Sequence, residues 1–247
     1  MTQWQSIITG VTVSGEQVSA KERTVAKRNG AQSEKVVQLI IRGIEDGRFH
    51  SGARLIAADF ADALGTSRGP VRDAFQQLAG RGVLESVPNR GFRIKAVTGK
   101  DLVDVMHMLK ATGSLGIELA IENLSRSRNA SQMAMLSSQL ETTLEIGRNR
   151  ESYRWFNALV QWHYLVNEVS ENGYLNGLWD DFSLPLFNRG LSQVLPGAHW
   201  DQYVQNYENI GQAFWAMKGD ECSRLFVDHI NWAVHLIRQR IPLDQAV

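Results

Sequence analysis

Two arginines four residues apart, Arg68 and Arg72, lie either side of Pro70 in the stretch "TSRGPVRDAF". A guanidinium is a planar fork of donors. It pairs with the acceptor edge of a guanine or with two phosphate oxygens in a way that lysine cannot. At i and i+4 on a helix, two such forks project from one face. Thr66 and Ser67, just before them, bring hydroxyls to a helix start, where free N–H groups favour an anion. A second basic spot is Pro88-Asn89-Arg90-Gly91, a tight turn in which Asn89 and Arg90 stand at the tip and Gly91 permits a sharp bend. Both spots suit contact with a polyanion such as double-stranded DNA.

The charge distribution agrees. The 247 residues sum to zero, with 26 basic and 26 acidic side chains. Residues 1–97 hold 14 Lys+Arg against 9 Asp+Glu, a net +5, and the remainder holds 12 against 17, a net −5. A basic front and an acidic back point to different partners for the two parts.

Other chemistry is sparse. Cys222 is the single cysteine, so an internal disulfide and a four-thiolate zinc site are excluded. No P-loop, dinucleotide fingerprint or nucleophile motif occurs. His163, His229 and Tyr207 have two readings, a satisfied buried set or the polar wall of a pocket. Trp155, Trp162, Trp179, Trp200 and Trp215 crowd into 155–215, with Trp232 beyond, and read either as core or as an aromatic pocket lining.

The elements that must position these residues follow from periodicity. Residues 1–32 read as a flexible arm. From Ser33, a plausible cap, Val36, Leu39, Ile40 and Ile44 form a helical stripe that stops at Gly47. A shorter helix carries Phe60, Ala61 and Leu64 and ends at Gly65. Thr66 or Ser67 caps a third, with Pro70 in its first turn and Val71, Ala74, Phe75 and Leu78 inward. Strands follow at 83–87 and 92–96. Three helices and a hairpin over 33–97 predict a winged helix-turn-helix, whose third helix enters the major groove by its N-terminal end.

The rest, 98–241 with a tail at 242–247, reads as an all-α bundle of six or seven helices, giving a mainly α fold overall. Helical spacing covers 101–124, 130–147, 151–170, 174–194, 200–217 and 220–240, and Pro185 should split the fourth. No apolar run reaches the length of a membrane helix and no signal peptide is evident, so a cytoplasmic protein is expected.

"LGTSRGPVRDAFQQLAGRGVLESVPNRGFRI" resembles the DNA-binding domain of GntR-type bacterial transcription regulators. "FVDHINWAV" and "WFNALVQWHYLVNEVSENGYL" resemble the helical FCD effector domain of their FadR-like branch. The resemblance implies DNA contacts by Arg68, Arg72 and the Arg90-Gly91 wing. A family arginine on the second helix falls on Ala58 and is lacking. Many relatives hold a divalent metal with an Asp and three His. Here these positions are Leu159, His163, Tyr207 and His229, so no cofactor is expected, and His163 and His229 would be the remnant of a metal site. His107, Glu118 and His199 are the conceivable substitutes. A family arginine that anchors acidic ligands falls on Ser114, with Arg189 as a conceivable replacement.

The expectation is therefore a homodimeric, effector-responsive DNA-binding regulator, a repressor by analogy, released from a pseudo-palindromic operator. Its effector pocket would be formed by Leu159, His163, Tyr207, His229 and Arg189, metal-free and suited to an aromatic or mostly apolar molecule. The alternatives are an all-helical metal- or His-dependent enzyme and a helical protein-interaction module.

Overall fold

The computed structural model describes residues 20–88, 90–180, 184–195 and 197–247. The first helix, α1 (Ala20–Glu45), starts well before Ser33. Thus the arm expected at 1–32 is helical from Ala20 on, and residues 1–19 lie outside the described residues. Ser33 is buried inside this helix rather than capping it. The stretch "AKERTVAKRNGAQ" has no apolar stripe, and so gives no periodic signal. It is rich in Ala, Lys, Arg and Glu, which favour helix without burial.

A two-residue strand, β1 (Arg54–Leu55), precedes α2 (Ala57–Leu64) and α3 (Arg68–Gly80). The wing is β2 (Leu84–Val87) and β3 (Gly91–Ile94). The strands form an antiparallel sheet in the order β1-β3-β2, with Leu55 opposite Phe92 and Leu84 opposite Ile94. β1 is too short to carry an alternating pattern, and periodicity does not detect it. Gly65 ends α2 in the left-handed conformation with φ 59. Leu64, one of the apolar residues of this helix, is exposed.

These elements enclose one apolar core. Val36, Val37, Ile40 and Ile44 of α1 pack on Val71, Phe75 and Leu78 of α3, all buried. Phe60, Phe75 and Phe92 meet edge-to-face at 5.4 and 5.5 Å between centroids. Leu186, from far along the chain, completes this core.

Among the described residues seven helices follow: α4 (Gly99–Ser127), α5 (Ala130–Arg148), α6 (Ser152–Val169), α7 (Leu175–Asp180), α8 (Leu184–Val194), α9 (Trp200–Trp215) and α10 (Gly219–Arg240). The break expected near Pro185 separates α7 from α8, and the proline takes a first-turn position that needs no N–H. α4 packs on α10 and α6, α5 on α6, and α9 on α10. A capping box of Thr98 and Asp101 starts α4. The tail is not loose: Val247 N–H donates to the Val97 carbonyl, Gly99 N–H to that of Gln245 and Lys100 N–H to that of Leu243. The last residues therefore hold the segment that joins the head to the bundle.

Candidate nucleic-acid interface and bundle cavity

Ser67 occupies the N-cap of α3 with extended φ −78 and ψ 162, and its side chain makes no capping bond. The hydroxyl and the first N–H groups of α3 therefore face outward, available to an anion. Thr66 behaves differently. It is half-buried, and its hydroxyl donates to Gln32 of α1 at 2.6 Å, tying the helix-turn-helix corner to the first helix. Pro70 is buried and supports the fold rather than facing outward.

Arg68 and Arg72 are both exposed, and among the described residues neither has a hydrogen bond or ion pair. Val71, Ala74, Phe75 and Leu78 form the inward stripe of α3, and Arg68 and Arg72 stand beside that stripe in solvent. Arg90 is exposed at the wing tip, where its carbonyl accepts from Arg54 Nε at 2.9 Å. Gly91 has φ 86, and a Cβ there would lie 3.3 Å from the Leu55 carbonyl, so the wing turn needs this glycine. Asn89 lies outside the described residues.

The bundle encloses a cavity of about 50 Å³. Its lining includes Leu159, His163, Tyr207 and His229, as the sequence suggests, together with Trp179, Phe187, Asn188, Leu191, Tyr203 and Phe226. His163 Nε2 and the Tyr207 hydroxyl are 3.2 Å apart, and the Tyr207 and His229 rings lie 4.9 Å apart. His229 Nδ1 is 3.1 Å from the side-chain amide of Asn206. Burial drives both histidines down to about 3, with the neighbouring His229 adding to the effect on His163, so both rings are neutral at pH 7. Burial pushes the Tyr207 phenol up. The unpaired polar atoms here are His163 Nδ1 and the Tyr203 hydroxyl.

Arg189 does not reach this cavity. It lies over the ring of Tyr153, 5.8 Å from its centroid, on the side of α8 that faces the head. Phe187, Asn188 and Leu191 claim the cavity side of α8, and a residue between them on a helix must point elsewhere. The tryptophans are mostly core: Trp155 packs edge-to-face on Trp200, Tyr203 and Tyr207, and only Trp179 lines the cavity. Of the substitute metal ligands, Glu118 accepts from the Ser223 hydroxyl and His199 packs on Trp232. No group of three or more His, Cys, Asp or Glu able to hold a metal occurs among the described residues. Sequence reasoning missed Asn188, which is buried and donates to Asn157 at 2.7 Å. It also missed Tyr203, since neither residue carries a motif.

An outward basic helix start, a glycine-hinged wing and an apolar head core make a winged helix-turn-helix head on a helical bundle. Residues 32–94 match the family model "Bacterial regulatory proteins, gntR family". The chain is 29% identical over 146 residues to the "Probable D-xylose utilization operon transcriptional repressor" of Paenarthrobacter nicotinovorans, covering 59% of this chain and 62% of that protein. It is 28% identical over 136 residues to the HTH-type transcriptional regulator YdhC of Bacillus subtilis, covering 55% and 59%. The chain thus spans about 60% of the length of these relatives. In fold it is similar to E. coli McbR/YncC, with TM-score 0.69, 20% identity and coverage of 84% of this chain and 97% of the other. A GntR regulator of Rhodococcus sp. RHA1 gives TM-score 0.71, 19% identity and coverage of 86% and 100%. These two likenesses extend through the helical bundle. No helix among the described residues is long and apolar enough to cross a membrane.

Proposed function

We propose that this chain is a cytoplasmic transcription regulator of the gntR type. It would act as a homodimeric repressor that leaves a pseudo-palindromic operator when a small molecule enters an FCD-like bundle. The observation that carries the DNA-binding reading is the pair Arg68 and Arg72, exposed and unpaired at the start of α3 in a domain that matches the gntR model. Two uncompensated guanidinium groups on one face give base readout, while Ser67, the α3 N-terminus and Arg90 position the backbone. Gel shift of the full chain on duplex DNA across a salt series tests this. Affinity should fall steeply with salt, and specific sequences selected from a random pool should retain binding at salt that removes the rest.

The effector would be metal-free in its binding, an aromatic or mostly apolar molecule with one or two polar groups. His163, Tyr207 and the unpaired Tyr203 hydroxyl supply donors and acceptors, and Leu159, Phe187, Leu191 and Trp179 supply apolar contact. The cavity has room for only a few waters, whereas ligand sites run to roughly 300–1,000 Å³. Entry must therefore move its walls. One wall is α8, which places Phe187, Asn188 and Leu191 in the cavity and Leu186 in the head core. A displaced α8 would pull on the head and change the spacing of two half-site readers. The gntR match and the regulator relatives favour this reading over an enzyme.

A further inference from the structure

A second recess lies between head and bundle, away from the central cavity. It encloses about 280 Å³, and Arg189 and Gln193 of α8 face His50, Ser51 and Lys95 of the head across it. Arg189 and Lys95 are cationic and His50 offers ring nitrogens, and the rest of the lining, Ile44, Phe49, Val97 and Leu186 among it, carries no carboxylate side chain.

Arg189 is the informative member. It is half-buried, yet among the described residues its guanidinium makes no hydrogen bond or ion pair and only lies over the Tyr153 ring. Its tip nonetheless lies close against the backbone of the head at Gly47. Gly47 has φ 77, and a Cβ there would come within 2.9 Å of an Arg189 terminal nitrogen. The guanidinium thus sits next to the turn that follows α1. Lys95 and His50 likewise have no side-chain ion pair or hydrogen bond among the described residues. The neighbouring carboxylates are engaged or face another way. Asp101, whose field reaches Lys95, is held by the Thr98 capping box. Glu45 is not among the lining residues and feels the charges of Arg42 and Asp46, and Asp46 pairs with Arg48 at 2.7 Å. Val247, whose N–H is bound to Val97, lines the rim, and its terminal carboxylate forms no ion pair with any of the three.

We propose that this recess is an anion site that takes a compact oxyanion, a carboxylate or phosphate, on a small organic body. The guanidinium offers a two-pronged contact, Lys95 adds a second charge and His50 a ring nitrogen, and Phe49 and Leu186 receive the apolar part. Because the cations come from both domains, an occupant ties α8 to the head and restrains the same joint that the central cavity loosens. This site stands apart from the DNA-binding face, and its test contains no DNA.

Benzoate and orthophosphate are the probes, titrated into the full chain by calorimetry at ionic strength held constant with sodium chloride. The expected result is saturable binding of at least one probe, which tells carboxylate from phosphate. It should weaken by about tenfold or more in Arg189→Gln and by a smaller factor in Lys95→Gln, as loss of charge-assisted hydrogen bonds requires. Arg72→Gln should leave it unchanged. The inference is overturned if neither probe binds saturably, if binding survives in both Arg189→Gln and Lys95→Gln, or if the loss follows Arg72→Gln instead, which would put the anion on the recognition helix. Circular dichroism of each variant confirms the fold, and the two substitutions lie on different domains, so both cannot fail through one local defect.

Discussion

The head and the bundle are built on opposite plans. The head core is a cluster of apolar side chains, and the proposed DNA-contacting groups Ser67, Arg68, Arg72 and Arg90 lie outside it on α3 and the wing. The bundle interior carries His163, His229, Asn167, Asn188 and Thr143 at 4% exposure or less, figures that mark them as wholly inside. The buried side-chain atoms without partners also lie there, including Trp155 Nε1, Trp162 Nε1 and both polar atoms of Asn167. A buried unpaired polar group costs about 1–3 kcal/mol. The head's outward groups add no such cost. The bundle carries that cost in its interior.

The largest test of this contrast is Phe75→Ala. The ring is fully buried between Phe60 and Phe92, so truncation should cost about 3–5 kcal/mol and unfold the head with little change to the bundle. Tryptophan emission, dominated by the bundle, should stay native while amide exchange in α1 to α3 accelerates. Simultaneous loss of both signals would show that the two parts are one folding unit.

Next comes acid. His163 and His229 titrate near 6.5 when unfolded and near 3 when folded. The unfolded chain therefore binds more protons in that window, and stability, full above pH 6.5, should fall as the pH drops toward 3. Each histidine should cost about 1.4 kcal/mol per pH unit below 6.5. Urea midpoints at pH 7.5 and 5.5 measure this. A His163→Phe, His229→Phe chain should lose most of the slope. Equal slopes in the two chains would mean the histidines are not the acid-sensitive element.

Arg72→Ala probes the outward plan. Melting temperature should stay within a degree or so of wild type, because an exposed side chain without partners holds nothing in place. Specific DNA affinity should drop by about 1–3 kcal/mol. A destabilised variant would place Arg72 in the fold after all.

The smallest effect should come from His163→Phe with Tyr207→Phe. Removing both ends of the 3.2 Å hydrogen bond leaves no orphan, so stability at pH 7.5 should change by less than about 1 kcal/mol. Effector response should nevertheless be lost. A large destabilisation would make the pair structural, and the polar interior would need another reason.

The head was the more legible half. "LGTSRGPVRDAF" announces a turn, a cap, a first-turn proline and an apolar stripe in one short run, and each is a local signal. The wing strands at 84–87 and 91–94 fell close to the expected 83–87 and 92–96 for the same reason. In the bundle the helices were readable from their breaks, and Leu159, His163, Tyr207 and His229 do converge. The position of Arg189 was not readable, because it depends on which face of α8 the bundle claims. Nor was the small size of the cavity, which is a property of packing and not of any residue. The helical start of α1 escaped since propensity without periodicity resembles a flexible arm.

Leu186 in the head core also has a consequence in time. During synthesis the head is complete as sequence once Ile94 has emerged, but its core waits for a residue made much later. At about 5–20 residues per second, the interval is of the order of 5 to 20 seconds. For that time a nascent head exposes an unfilled apolar notch beside Ile44 and Phe49. A free head segment would keep the notch permanently, and so should be stickier and less soluble than the intact chain.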